Sequence, residues 1–302
     1  MEKLRKIVAV DNIGLEPEAY AELSNYTQEF ILHEDYPQTR QEIIDRMQGA
    51  DGMLVSWHTG IDKEILDKCE QLKYVGMCCS LYEEKSANVD IAAARERNIR
   101  VLGVRDYGDQ GVVEFIISEL IRLLHGYGGK QWKETPLELT GIKVGIIGMG
   151  VTGTMVADAL KLFGAEVYYY SRTRKLQLEN QKGYIYADLD TLLQTTQIIT
   201  THLPKHNCML GKRELDLYGN GKIIVNTSIG PTYDTEEIKK WLSCKQNYLI
   251  TDSCGMGSFA SEFEPYENSI NYPGVCAASK QMKQRLSQKV LENIHTYLQE
   301  QA

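Results

Sequence analysis

Short apolar runs alternate with amphipathic stretches along the whole chain, in two successive series. Apolar runs bounded by polar turns are typical of buried parallel strands, and the stretches between them have the spacing of helices. The two series therefore predict an α/β protein with two doubly wound parallel-sheet domains, flavodoxin-like or Rossmann-like, and a cleft between them.

The first series extends to about residue 103. Its predicted strands are residues 6–10, 31–33, 52–57, 74–77 and 100–104. Its predicted helices are residues 17–30, 39–47, 62–69 and 89–97.

A long helix over residues 110–124, with Asp109 as its N-cap, is predicted to join the two series. The strands predicted in the second series are residues 143–147, 166–170, 197–202, 222–227 and 248–251. Residues 253–272 are polar and lack strand patterns, and residues 277–299 predict one terminal amphipathic helix.

Composition and charge narrow the class of protein. A formal net charge of -8 makes nucleic acid an unexpected partner, because nucleic-acid-binding proteins usually carry a basic excess. The apolar runs are too short for a membrane span, and the N-terminus does not have the pattern of a signal peptide. The seven scattered cysteines predict neither a disulfide framework nor a metal site. We expect a cytoplasmic protein that binds a small molecule.

The sequence GMGVTG, residues 148–153, is the strongest chemical signal in the chain. Alone, this GxGxxG pattern is weak, but here an apolar strand leads into it and a helical pattern leads out of it. Gly148 would allow a tight turn, Gly150 would let the backbone approach a pyrophosphate, and Gly153 would let helix and strand pack closely. We interpret the segment as a dinucleotide site that includes Val151 and Thr152; a glycine-rich turn without a ligand is the alternative.

The end of the next strand predicts which dinucleotide is bound. NAD-specific sites usually carry Asp or Glu about 20 residues after the glycine motif, to hold the ribose 2′-hydroxyl. This chain has Ser171, Arg172, Thr173 and Arg174 there. Two guanidinium groups and two hydroxyls favour a 2′-phosphate, so we predict NADP(H). The alternative is a pair of solvated arginines.

The order of several segments resembles that of the D-isomer-specific 2-hydroxyacid dehydrogenase family over nearly the whole chain. The segments are NVDIAAA (88–94), VE (113–114), LTG (139–141), THLP (201–204) and VNTS (225–228). The Ser-Arg-Thr after the second strand is similar to the glyoxylate and hydroxypyruvate reductase branch.

This resemblance implies a substrate-side domain of residues 1–103 plus 277–302, a dinucleotide-binding domain of residues 104–276, and a homodimer. It implies hydride transfer at a 2-keto or 2-hydroxy acid. It also implies further cofactor contacts from His202, Leu203, Pro204, Thr227, Ser228, Ile229 and Asp252, with Asp252 holding the nicotinamide carboxamide.

The sequence departs from the family at its catalytic arginine, glutamate and histidine. Ile229 stands where the arginine belongs, and isoleucine cannot bind a substrate carboxylate. Gly274 stands where the histidine belongs, after Pro273. Glu264, which precedes Pro265, matches the glutamate, although its spacing from Asp252 and Gly274 differs from the family pattern.

Other residues are candidates for the missing proton donor. His58 follows a predicted strand at the carboxyl edge of a parallel sheet, and imidazole titrates near neutral pH. Tyr107, just before the long helix, is a second candidate. Tyr233, Tyr266 and Tyr272 are further candidates, and a structural role is the alternative for each of these side chains.

Three functions remain open from the sequence. The first is an NADP(H)-dependent oxidoreductase with a rebuilt substrate site that reduces a carbonyl or imine of a non-standard substrate. The second is a catalytically inactive NADP(H)-binding relative that acts as a sensor or assembly partner. The third is a low-activity 2-keto acid reductase that uses substitute residues.

Overall fold

The structure is a computed structural model that describes residues 2–205 and 207–301. Its strands are β1 (Leu4–Ala9), β2 (Thr27–Leu32), β3 (Gly52–Val55), β4 (Tyr74–Ser80), β5 (Arg100–Val104), β6 (Lys143–Ile147), β7 (Glu166–Tyr170), β8 (Ile185–Tyr186), β9 (Ile198–Thr201), β10 (Ile223–Asn226), β11 (Tyr248–Asp252) and β12 (Ser269–Tyr272). Its helices are α1 (Pro17–Glu22), α2 (Arg40–Arg46), α3 (Lys63–Lys68), α4 (Ile91–Glu96), α5 (Asp109–His125), α6 (Val151–Leu162), α7 (Leu176–Lys182), α8 (Leu189–Thr195), α9 (Lys212–Tyr218), α10 (Thr235–Leu242), α11 (Ser253–Met256), α12 (Ala260–Phe263) and α13 (Lys280–Glu300).

The chain divides into two compact units. The first contains the described residues up to Tyr107 and those from Ser279 onward, and the second is Gly108–Ala278. Each unit is built on a parallel sheet, which confirms the predicted α/β fold class. The assignment of substrate to one unit and dinucleotide to the other stays a prediction.

The first unit has a five-stranded sheet in the order β2-β1-β3-β4-β5. Side-chain caps begin three of its helices: Thr39 accepts from the Glu42 N–H, Asp62 from Ile65, and Asp90 from Ala93. One face of the sheet packs on α13, whose buried residues share a core with β1 and β4. The terminal segment of the chain therefore completes a sheet formed by its first third.

The predicted helix over residues 17–30 is wrong in its second half. Helix α1 ends at Glu22, a short 3₁₀ turn follows over Leu23–Asn25, and β2 then runs parallel to β1 from Thr27. β2 is an edge strand, and several of its side chains are exposed or half-buried. Its polar positions therefore imitate the pattern of a surface helix.

The second unit has a seven-stranded sheet in the order β12-β11-β10-β9-β6-β7-β8. The segment predicted to lack strands, residues 253–272, contains β12, which pairs with β11 from Ser269 opposite Leu249 to Tyr272 opposite Asp252. The prediction missed β12 because this edge strand is short and has no continuous apolar run. Strand β8 at the other edge was missed for the same reason.

Asp109 does not cap α5, contrary to the prediction. The N-cap is Gly108, which makes no side-chain cap, and Asp109 is the first helical residue. The buried Asp109 carboxylate accepts a hydrogen bond from the hydroxyl of Thr152 in α6. Helix α5 thus belongs to the second unit and packs on α6.

Among the described residues, no helix has both the length and the apolar character needed to cross a membrane.

Candidate functional site

The turn after β6 depends on two glycines that tolerate no side chain. Gly148 has a φ of +102°, and a Cβ there would lie 2.2 Å from the carbonyl oxygen of His202. A Cβ on Gly153 would lie 2.1 Å from the carbonyl oxygen of Gly148. The first glycine therefore provides the turn and the third provides close helix–strand packing, as a dinucleotide motif requires.

Gly150 is different, because open space lies beside it. It is the N-cap of α6, with a φ of -85°, and no atom lies within 4 Å of the position that its Cβ would take. The first N–H groups of α6, on Val151, Thr152 and Gly153, have no intrahelical acceptor and point out of the helix end. An open glycine at the N-terminus of a 12-residue helix suits the close approach of a pyrophosphate.

The loop after β7 presents the residues predicted to select the cofactor. Ser171 is half-buried, and Arg172 and Thr173 are exposed. Arg174 is bound bidentately by Glu179, with Nε–Oε1 at 2.9 Å and Nη2–Oε2 at 2.7 Å. This ion pair, together with the Tyr169 hydroxyl, lowers the pKa of Glu179 to about 2. A 2′-phosphate would therefore compete with Glu179 for the charge of Arg174.

The loops that follow β9 and β10 are tied to each other. The N–H of Leu203 donates to the Ser228 hydroxyl at 3.0 Å, and that hydroxyl donates to the carbonyl of Thr201 at 3.1 Å. Asn226 supports the same region, since its Oδ1 accepts from the N–H of Ser228 at 3.1 Å. Pro204 is half-buried beside Leu203. These hydrogen bonds fix the segments after β9 and β10 relative to each other at the carboxyl edge of the second sheet.

Thr227 carries a polar atom that is not satisfied within the protein. Its Oγ1 is buried and has no hydrogen-bond partner among the described residues. Leaving a buried hydroxyl unpaired costs about 1–3 kcal/mol. A ligand at this edge of the sheet would supply the missing partner, so Thr227 fits a bound dinucleotide.

His202 and Asp252 are both placed by internal bonds. Burial lowers the pKa of His202 to about 4, and its Nε2 lies 3.1 Å from the Thr200 hydroxyl. The buried Asp252 carboxylate accepts from the N–H of Gly255 at 2.8 Å and from the N–H of Cys276 at 2.9 Å. Each carboxylate oxygen keeps a further lone pair, so Asp252 can still accept from a carboxamide.

Of the three positions that the sequence resemblance assigns to catalytic residues, two carry no ionisable side chain. Ile229 is an exposed apolar side chain in the loop after β10. At Gly274, an added Cβ would lie 2.8 Å from the hydroxyl of Tyr272. Tyr272 therefore occupies the space beside Gly274. Tyr272 is the last residue of β12, so this placement could not be predicted without recognising β12 as a strand. Glu264 is exposed at the C-cap of α12 and has no hydrogen bond or ion pair among the described residues.

In the first unit, a buried carboxylate joins the loops after β1 and β3. Asp11 accepts from the N–H and hydroxyl of Ser56 at 2.9 and 2.6 Å, and from the Thr59 hydroxyl at 2.5 Å. Asn88 donates to the carbonyls of Ser56 and Thr59 at 2.7 and 2.5 Å. The sequence analysis missed this network, although a charged residue directly after an apolar strand was a signal of it.

His58 and Tyr107, the predicted proton donors, both lie in the first unit. The His58 side chain is exposed and lies in the loop between Ser56 and Thr59. Partial desolvation of the imidazole lowers its pKa, and the negative charge of Asp11 opposes that shift. Tyr107 follows β5 and packs against the core that α13 covers, and its carbonyl accepts from Arg285 Nε at 2.8 Å. The described residues contain no group of His, Cys, Asp or Glu that could hold a metal ion.

Comparison with known proteins gives a family match within the second unit. Residues 119–254 match the model of the D-isomer specific 2-hydroxyacid dehydrogenase, NAD binding domain. This match spans less than half of the chain. A glyoxylate reductase from Thermococcus litoralis is 27% identical over 283 residues, which are 84% of this chain and 82% of that protein. A hydroxypyruvate reductase from Blautia hydrogenotrophica is 26% identical and covers 85% of each chain.

Solved structures of the D-isomer specific 2-hydroxyacid dehydrogenase fold extend over both units. An acyclic imino acid reductase in complex with NADPH and D-Arg has a TM-score of 0.83 at 21% identity, covering 98% of this chain and 97% of that one. An NAD⁺-bound 3-phosphoglycerate dehydrogenase from Entamoeba histolytica has a TM-score of 0.78 at 20% identity, with 100% and 97% covered. At these identities the likeness is one of fold. The comparisons thus show a similarity to an NAD-binding domain within the second unit, and a similar two-domain fold over the whole chain.

Proposed function

We propose that this protein is an NADP(H)-dependent oxidoreductase that reduces the carbonyl or imine group of a substrate other than the usual small 2-hydroxy acids. The observation that carries the proposal is the turn around Gly150, where open space faces the N-terminus of α6. The buried and unpaired hydroxyl of Thr227 supports it independently. Gly148, Gly153, Ser228 and Asp252 complete the set of residues that would hold the cofactor.

The choice of NADP(H) rests on the loop after β7. It lacks the carboxylate that would bind a ribose 2′-hydroxyl and repel a phosphate, and it carries Ser171, Arg172, Thr173 and Arg174 instead. A preference for NADPH over NADH in calorimetric binding supports this proposal, and Arg172→Ala should remove most of that preference. An equal affinity for the two cofactors would contradict it.

The reaction itself needs one proton donor. A bound nicotinamide cofactor supplies the hydride that a carbonyl carbon accepts, while the oxygen takes up a proton. We assign the proton to His58 or Tyr107, with Glu264 as the third candidate. General acids of this kind typically contribute about 100- to 10,000-fold in rate, so a substitute for the family histidine supports turnover.

Imines belong on the list of substrates for two reasons. Ile229 offers no cation for a carboxylate, which argues for a substrate bound differently from glyoxylate. In addition, a protein with the same fold is an acyclic imino acid reductase in complex with NADPH and D-Arg. The decisive assay is NADPH oxidation with 2-oxo acids, aldehydes, and 2-oxo acids mixed with amines. Absence of turnover with every member of the panel would contradict the proposed activity.

The cofactor site has its own test in a matched pair of glycines. Gly150 and Gly211 are both N-caps in extended conformation, with φ of -85° and -88°, so each accepts a valine without backbone strain. Gly150→Val should lower the unfolding temperature no more than Gly211→Val does, since valine replaces an N-cap glycine in both. It should weaken NADPH binding by at least about 10-fold, because its side chain would occupy the space that a pyrophosphate needs. Gly211→Val is the control. Unchanged NADPH affinity in Gly150→Val would show that the glycine turn at residues 148–153 does not bind the cofactor.

A catalytically inactive NADP(H)-binding protein is the second candidate function. It is favoured by the absence of ionisable side chains at Ile229 and Gly274 and by the exposed, unpaired Glu264. It predicts NADPH binding without oxidation of NADPH by any substrate.

A low-activity 2-keto acid reductase is the remaining alternative, and a double variant, Ile229→Arg with Gly274→His, should then gain activity on glyoxylate. The histidine requires the ring of Tyr272 to move.

A further inference from the structure

The carboxyl ends of β1 and β3 lie side by side in the first unit, where the direction of the strand order changes. The chain passes from β1 to β2 on one side, and from β3 through β4 to β5 on the other. In open parallel sheets, ligands bind in the crevice outside such a switch point. The residues that directly follow β1 and β3 are therefore placed to contact a ligand.

Three rings form one surface at this switch point, and we name Tyr36, Trp57 and His58 the aromatic cluster. The ring centroids of Trp57 and His58 are 3.7 Å apart, and those of His58 and Tyr36 are 4.6 Å apart. Trp57 is 46% exposed and Tyr36 is 41% exposed. Aromatic side chains contribute strongly to binding energies, and contiguous exposed apolar patches mark binding sites.

The loop that carries Trp57 and His58 is fixed by two polar side chains. The Asp11 carboxylate binds Ser56 and Thr59, and Asn88 binds the carbonyls of the same two residues. Trp57 and His58 stand between these two fixed points, and the N–H of His58 donates to the Ser56 hydroxyl at 3.2 Å. A surface that is fixed in advance loses less conformational entropy when a ligand binds.

Two carboxylates near the aromatic cluster have partners within the unit. Asp35, which precedes Tyr36, pairs with Arg46 at 2.7 Å. The buried Asp11 accepts three hydrogen bonds. The cluster itself offers aromatic ring faces, and this favours a planar group that stacks on them.

We propose that the aromatic cluster binds a planar aryl group of the substrate. The substrate class is then aryl-substituted 2-oxo acids, or the imines formed from them. The chemistry at the oxo carbon rests on the proposed oxidoreductase function, whereas the binding of the aryl group does not. Burial of an aryl group between rings corresponds to at least about 10-fold in affinity over a methyl group in the same position.

Trp57 provides a direct probe of this inference. The other tryptophans, Trp132 and Trp241, are 5% and 7% exposed, so Trp57 dominates the quencher-accessible fluorescence. D-phenyllactate should shield that fluorescence in the full-length protein, with or without NADPH, and should bind at least about 10-fold tighter than D-lactate in calorimetry. Trp57→Ala should remove this difference, and Trp57→Phe should keep most of it.

Tyr127→Ala is the matched control, because Tyr127 is an exposed aromatic residue of the second unit that stacks on His125. It should leave both ligands unaffected. Equal affinities for D-phenyllactate and D-lactate, or an equal loss of both in Trp57→Ala, would overturn the proposal. Tighter binding of a guanidinium-bearing 2-oxo acid than of phenylpyruvate would also overturn it.

Turnover separates this inference from the proposed function. Binding of D-phenyllactate that depends on Trp57, without NADPH oxidation by phenylpyruvate, would support the aryl site and contradict the oxidoreductase. Oxidation of NADPH by an aliphatic aldehyde or imine, with no preference for phenylpyruvate, would support the oxidoreductase and contradict the aryl site. Both are supported if Trp57→Ala lowers kcat/KM for phenylpyruvate at least about 10-fold more than it lowers kcat/KM for pyruvate.

Discussion

Arg174 and Glu179 illustrate how one neighbour changes what a sequence motif can do. The alternation of hydroxyl and guanidinium groups predicted a loop that favours a 2′-phosphate, but the guanidinium of Arg174 is bound by a carboxylate five positions later. The motif was visible in the sequence. The ion pair was not, because it depends on the path of the loop between β7 and α7.

Replacing Glu179 should therefore sharpen the cofactor preference. Glu179→Gln removes the negative charge and keeps the shape, so we expect NADPH to bind several-fold tighter while NADH changes little. The measurement is calorimetric titration of both cofactors. Glu166→Gln, at the exposed start of β7, is the control. An identical gain for NADH would mean that the effect is general attraction rather than recognition of the 2′-phosphate.

The pKa of His58 gives the proposed reduction a pH dependence. Burial lowers this pKa below its ordinary value near 6.5, so the neutral imidazole predominates at pH 7. If His58 is the proton donor, kcat/KM for reduction should fall as pH rises through a pKa below that value. His58→Gln should remove this limb of the pH profile. A profile that is unchanged in His58→Gln would leave Tyr107 or Glu264 as the donor.

His202 has a consequence for stability rather than for catalysis. Its pKa of about 4 in the folded protein lies below that of an unfolded histidine, so the unfolded state binds more protons between these values. Stability should therefore fall as pH decreases from about 6.5 to 4, by up to about 3 kcal/mol from this residue. Urea unfolding at several pH values measures it, and His202→Asn should flatten the dependence. An unchanged slope would contradict the neutral buried state.

At the scale of elements, the buried strands were predictable and the edges were not. Strands β3, β6 and β10 are mostly apolar and buried, so their sequences are readily recognised. Strands β2 and β12 are edge strands with polar positions. The first four residues of β2 were assigned to a helix, and β12 was assigned to a loop. The same limit applied to the site: the glycine turn was readable, but the placement of Tyr272 beside Gly274 required β12.

The link between β1 and β3 can be tested through its carboxylate. Asp11→Asn retains the shape but replaces one acceptor oxygen with a donor, which opposes the hydroxyls of Ser56 and Thr59. We expect the free energy of unfolding to fall by about 1–3 kcal/mol. Quencher-accessible fluorescence of Trp57 should increase as its loop loosens. Asp45→Asn, on the exposed side of α2, is the control; an equally small effect of both variants would show that the network does not hold the loop.

At the scale of the whole molecule, the first unit depends on residues from both ends of the chain. Ile294 is fully buried in the core that α13 shares with β1 and β4. Ile294→Ala should lower the free energy of unfolding by about 2–5 kcal/mol through the cavity it leaves. The dissociation constant of NADPH should stay unchanged, because the glycine turn lies in the other unit. A parallel loss of NADPH binding in the folded variant would contradict the independence of the two sites.

The discontinuity of the first unit also affects the order of events on the ribosome. Residues 108–278 form a complete core of their own, whereas the sheet made by the first 107 residues lacks the helix that covers one face until residues 280–300 emerge. The unit that is synthesised second can therefore become native first. During that interval the nascent chain exposes the face that includes Tyr74 and Cys78, which makes this part of the chain the natural client of a chaperone.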